Sequence, residues 1–158
     1  MYFAGKSLNP YTISLLVAFR CNAFISQGRN FSIETVFSSE QKLELIRMAK
    51  RRGYKVYIYA ISTENPIINI ARIKNRVADG GHNVPKNKVL KRYSKSMKNI
   101  ARAIKLVDRA FLWDNSKMLP EFIASYNNGF VVTKVDDTQM PNWFKARIVP
   151  ILTDSTSK

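Results

Sequence analysis

Apolar and polar positions follow two different periods along this chain, and the periods predict its elements. Residues 54–61, Tyr-Lys-Val-Tyr-Ile-Tyr-Ala-Ile, are dense in β-branched and aromatic side chains and give the clearest strand signal. Residues 109–113 repeat that signal and stop at Asp114-Asn115. Residues 31–36 predict a short buried strand. Residues 122–125 and 130–135 flank Asn127-Asn128-Gly129, a turn sequence that predicts a hairpin.

Helical spacing fills the intervals. Asn9-Pro10 marks a helix start, and the helix runs to about residue 27 before Gly28 stops it. Ser38, followed three residues later by Gln41, reads as a capping box. It opens a helix with Leu43, Ile46 and Ala49 on one face, ended by Gly53. A helix over residues 65–78 closes at Gly80-Gly81, and Pro85 starts a longer one that reaches residue 107. Beyond Asp136 no period stands out, and residues 153–158 are expected to be a flexible tail.

Strands alternating with helices predict an α/β fold. Its sheet is expected to be mostly parallel, with helices on both faces and a C-terminal hairpin. The 158 residues suit a single domain over residues 1–152.

Charge narrows the partners. The formal net charge is +15, which favours nucleotides, nucleic acid, phosphosugars, an acidic protein or an anionic membrane surface without choosing among them. Cys21 is the lone cysteine and reads as core filler. His82 is the lone histidine, so no zinc site or Ser-His-Asp triad is expected, and no metal ligands are assigned. The apolar run at residues 11–25 is too short and too polar to span a bilayer and lacks a cleavage signal, so no membrane association is expected and the cytoplasm is the default compartment.

Two helices carry the positive charge unevenly. At about 100° per residue, Val89, Tyr93, Met97, Ile100 and Ile104 share one arc of the long helix. Lys88, Lys91, Lys95, Lys98, Arg102 and Lys105 take the opposite arc, either as a solvated face or as a docking surface. Arg92 stands at the margin between them, where it either covers apolar surface or reaches into a cleft. On the preceding helix Ile67, Ile68, Ile70, Ala71, Ile73 and Val77 form an apolar face, and Arg72 and Arg76 share the other side. Such a pair is either solvated or bridged by an anion such as phosphate. Gly80-Gly81-His82 between the helices reads as a plain helix stop or as the hinge of a mobile lid.

Arg76-Val-Ala-Asp-Gly-Gly-His82-Asn-Val-Pro85, followed by Lys91-Arg92-Tyr93-Ser-Lys-Ser96, resembles the lid region of zeta-toxin-like and UDP-N-acetylglucosamine-kinase-like P-loop proteins. Phe31-Ser-Ile-Glu34-Thr35 is similar to that family's strand ending in Glu-Thr-Thr-Leu-Ser, and Asp114-Asn115-Ser116 to its Asp-Asn-Ser. Ser7-Leu8-Asn9-Pro10 is similar to the start of its first long helix. The resemblance implies a truncated three-layer P-loop kinase-like fold. It implies transfer of the γ-phosphoryl group of ATP, with Mg²⁺, to a sugar-nucleotide hydroxyl. Arg76 and Arg92 would then be catalytic, stabilising charge on the transferring phosphate, and Arg72 would help bind it. Glu34 and Thr35 would bind the acceptor, and Gly80, Gly81 and His82 would form the lid and its hinge. An acidic antitoxin-like protein is the partner that the family and the charge together imply.

The sequence departs from the family where the phosphates should be held. Ala4-Gly5-Lys6-Ser7 ends in Gly-Lys-Ser, but no glycine stands five residues before Gly5, and it falls where the family enters its first long helix. It is read as fortuitous, and the P-loop and its strand are expected to be absent. The family's catalytic aspartate would fall near Tyr2, and no carboxylate occurs before Glu34. The chain is therefore expected to be inactive as a kinase. Two alternatives remain: a non-catalytic remnant that binds an anion or a protein, and a basic nucleic-acid binder whose affinity would fall steeply with salt.

Overall fold

The computed structural model describes residues 9–153. In chain order the elements are α1 Pro10–Ser26, α2 Gln41–Arg51, β1 Tyr57–Ser62, α3 Pro66–Ala78, α4 Lys86–Ile104, β2 Arg109–Asp114, β3 Glu121–Asn127, β4 Phe130–Thr133, α5 Asn142–Arg147 and α6 Val149–Thr153. The fold is α/β. The chain divides into two compact units, Met1–Thr35 and Val36–Lys158. Gly5, Lys6 and Ser7 lie outside the described residues, as do residues 154–158 of the expected tail.

The first unit is built on α1. The Asn9 side chain caps it by accepting from the Thr12 N–H at 2.8 Å, and Pro10 occupies the first turn. Gly28, at φ +67°, ends it. Arg29 then lies 5.0 Å over the Phe24 ring, which also meets Phe31 at 5.6 Å.

The second unit is a four-stranded sheet in the order β1-β2-β3-β4. β1 and β2 run parallel, and β2, β3 and β4 form an antiparallel meander. The β3–β4 turn is Asn128-Gly129, with φ of +44° and +97°. Positive φ at both central residues matches the right-handed twist of a two-residue hairpin, which is why Asn-Gly stands there. One sheet face is buried. Ala60, Ala110, Leu112, Ile123 and Ala124 pack with Leu43 and Ile46 of α2 and Met97, Ile100 and Ile104 of α4. Trp143 and Phe144 of α5 complete that core. The opposite face carries Tyr57, Tyr59 and Ile61 of β1, all exposed, beside half-buried Phe111, Trp113 and Phe122. α2, α4 and α5 of this unit pack on its buried face.

Three sequence expectations need correction. Residues 31–36 form no strand. Phe37 adopts φ +60°, which a strand does not permit. The carbonyls of Val36 and Phe37 accept instead from Ser96 and Asn99 of α4. The Ser38–Gln41 capping box does not form, because Gln41 is the first helical residue of α2 and stands too early to reach back. Ser39 accepts from the Gln41 N–H at 3.3 Å in its place. Finally, the apolar face of α3 is only half-buried at Ile68, Ile70 and Ile73, and Ile67 is exposed.

Candidate functional site at the carboxyl ends of β1 and β2

Ligands of parallel α/β sheets bind beyond the carboxyl ends of the strands. Here β1 and β2 end side by side at the register pair Ser62↔Asp114, and the Asn115 N–H donates to Ser62 O at 2.7 Å. Two polar turns continue from them, Thr63-Glu64-Asn65 and Asn115-Ser116-Lys117. The Glu64 N–H donates to Ser116 Oγ at 2.6 Å, which ties the turns together. Asn69 Nδ2 donates to Thr63 Oγ1 at 2.8 Å, so the first turn of α3 is fixed to the same point.

Tyr93 reaches this point from α4. Its hydroxyl donates to Thr63 O at 2.8 Å and lies 3.3 Å from Glu64 O. Burial of the ring raises its pKa above the ordinary tyrosine value, and the hydrogen bond with Ser62 only partly offsets that. The phenol therefore stays protonated as a fixed donor.

Two carboxylates follow the strands, and α5 engages both. Asp114 is buried and accepts from Trp143 Nε1 at 2.7 Å, from the Ser116 N–H at 2.9 Å and from Ser116 Oγ at 3.0 Å. Glu64 accepts from the Asn142 N–H and side-chain amide at the start of α5. Both oxygens of Asp114 are therefore occupied by protein donors. Among the described residues no three His, Cys, Asp or Glu side chains lie together as a metal-binding group.

The expected site residues fall into three places. Glu34 and Thr35 are exposed in the first unit. Arg72, Arg76, Gly80, Gly81, His82 and Arg92 belong to the second. Arg72 reaches the strand ends, where its Nη2 donates to Lys117 O at 3.1 Å. Arg92 is half-buried directly before Tyr93, and Arg76 is exposed at the far end of α3. Neither Arg76 nor Arg92 joins an ion pair among the described residues. Gly80 and Gly81 close α3 in a Schellman motif: Gly80 N–H donates to Val77 O at 3.1 Å and Gly81 N–H to Arg76 O at 2.8 Å. His82 is exposed in the following loop.

Sequence reasoning missed Thr63, Glu64 and Trp143; it read Tyr93 as a core residue within the family-like Arg92-Tyr93 motif and gave its hydroxyl no partner. The polar run Ser62-Thr63-Glu64-Asn65 directly after the best strand was the available signal. Nothing in the sequence pointed to Trp143, whose partner Asp114 lies 29 residues away.

A parallel strand pair connected by helices, with a polar cluster at its carboxyl ends, places the protein among α/β folds and is compatible with a truncated P-loop kinase-like one. The zeta toxin family matches residues 9–117, more than half of the chain, and the chain belongs to that family. An uncharacterized protein of Haemophilus influenzae is 35% identical over 69 residues. That stretch is 44% of this chain and 49% of the relative, so the chain spans about half the length of the curated relative it matches. No solved structure matches. Among the described residues no helix is long and apolar enough to cross a membrane.

Proposed function

We propose that this chain carries the lid and strand-end portion of an ATP-dependent kinase that phosphorylates a hydroxyl of a sugar nucleotide. The family match carries this reading, because it ends on the Asp114–Lys117 turn that Arg72 touches. In it Arg76 and Arg92 stabilise negative charge on the transferring phosphate and Arg72 helps hold it. Glu34 and Thr35 contact the acceptor, and Gly80, Gly81 and His82 form the lid. ATP supplies the phosphoryl group and Mg²⁺ neutralises its oxygens.

We propose further that the 158 residues by themselves bind phosphate groups without turning ATP over, and that an acidic protein partner docks on the basic surface. Phosphoryl transfer needs positioning of both reactants as well as charge stabilisation, and the three arginines account for charge stabilisation alone. Calorimetry with a UDP-linked amino sugar tests the binding half. Arg76→Ala and Arg92→Ala are each expected to weaken affinity about tenfold, the worth of one charge-assisted contact. Affinities equal to that of the unmodified chain would remove both arginines from the site. Phosphorylated sugar nucleotide formed from ATP-Mg²⁺ by this chain alone would overturn the claim of inactivity.

A further inference from the structure

Among the described residues β4 pairs with β3 alone, so one of its edges is open. All of its residues are exposed. In a two-residue hairpin the residues flanking the turn exchange both backbone hydrogen bonds, and such pairs recur at every second position. Asn127↔Phe130 and Ser125↔Val132 are those pairs here. Val131 and Thr133 therefore turn their N–H and C=O groups toward the open edge.

The same two residues line a cavity of about 660 Å³. Its other walls come from the segment that follows the hairpin. Met140, Phe144, Val149 and Leu152 supply apolar surface, and Asp137 and Lys145 supply charge. The volume is within the range of ligand pockets. All of these residues lie beyond residue 117, outside the stretch matched to the zeta toxin family.

Open backbone groups and an apolar cavity at the same two residues are the two requirements of strand addition. A peptide residue placed opposite Val131 or Thr133 projects its side chain to the same face of the sheet, and so into the cavity. The cavity walls select apolar residues at those alternate positions. Charge selects the residues between and beside them. Lys134 continues the edge and Lys145 lines the cavity, and neither is in an ion pair among the described residues. Against them stand Asp136 and Asp137 of the same segment, so the preference for acid rests on the field of the whole chain, which is +15. We propose that the β4 edge and this cavity form a binding site for an extended acidic peptide with apolar residues at alternate positions, added as a fifth strand.

A fluorescein-labelled heptapeptide alternating glutamate and valine is the probe, titrated against the full chain at low salt. Saturable binding is expected, with shifts and slowed hydrogen exchange at the amides of Val131 and Thr133. The same peptide N-methylated along its pairing edge keeps its side chains and loses backbone donors. A block peptide of the same composition keeps the charge and loses the alternation. Each is expected to bind about tenfold more weakly or worse. Thr133→Pro, which removes an outward N–H and spares the β3–β4 ladder, is expected to weaken the alternating peptide by a similar factor. No saturable binding, equal affinity for either control peptide, or binding that leaves the β4 amides unmoved would each overturn the proposal.

Discussion

Four contacts converge on the carboxylate of Asp108, the residue before β2. Lys50 Nζ lies 2.8 Å and 2.7 Å from its two oxygens, the Val56 N–H donates at 2.7 Å, and Lys55 Nζ stands 3.6 Å away. Burial alone would raise its pKa. The hydrogen bonds from Lys50 and Val56, with the charges of Lys50 and Lys55, outweigh burial and hold the carboxyl below its ordinary value. A depressed folded pKa makes the contribution to stability complete above the unfolded value of about 4. It is lost as pH falls through the lower folded value. Urea unfolding followed from about pH 7 to pH 3 should show Asp108→Asn less stable at neutral pH by about 1–3 kcal/mol. The two curves should then converge in acid. Curves that stay parallel would show that Asp108 does not carry this acid sensitivity. None of this was legible in the sequence, because Lys50 and Asp108 are 58 residues apart and only the fold brings them together. Tyr93 was legible by half: helical spacing placed its ring in the core, and spacing carries no information about the Thr63 carbonyl its hydroxyl finds.

Neighbouring glycines at the end of α3 are needed for different reasons. Gly80 has φ +87° and open space where a Cβ would stand. Its constraint is conformational, and Gly80→Ala should cost about 1 kcal/mol. Gly81 is constrained by space: a Cβ there would lie 2.6 Å from Arg76 Cγ and 2.8 Å from Arg76 O. Gly81→Ala must displace the Arg76 stem and strain the capping hydrogen bond, so it should cost at least as much and also alter anion affinity through Arg76. Thermal unfolding paired with phosphate titration separates the two. A Gly81→Ala chain with unchanged phosphate affinity would uncouple Arg76 from this turn. Elements with strong local signals were readable, namely the capped α1, the apolar face of α2, β1, β2 and the Asn128-Gly129 turn. α5 was not, because its six residues are too few to show a period. It forms where Trp143 and Phe144 bury and where Glu64 caps its first N–H, that of Asn142. Residues 31–36 failed in the opposite direction, since a strand needs a partner ladder as well as β-branched residues.

At the scale of the molecule, alternation of strands and helices sufficed for the α/β class and for the parallel pair that positions the site. A motif drew attention to Arg76 and Arg92, whereas the Thr63–Ser116–Asp114–Trp143 cluster was not legible, because it is assembled from three separate stretches of chain. One feature of the sheet bears on how the purified protein behaves. Among the described residues β1 and β4 each leave one edge open, and they are different surfaces. Pairing the β1 edge of one copy with the β4 edge of the next is head-to-tail, and such contacts grow into fibres wherever the rotation between copies does not close a ring. Tyr59, 68% exposed on β1, is a place to oppose this with charge. Tyr59→Lys should raise the concentration at which light scattering sets in by several-fold, and an unchanged onset would clear the edges of blame. In that light the chain is a monomer with two unlike reactive ends, and a peptide seated on β4 is its chain terminator.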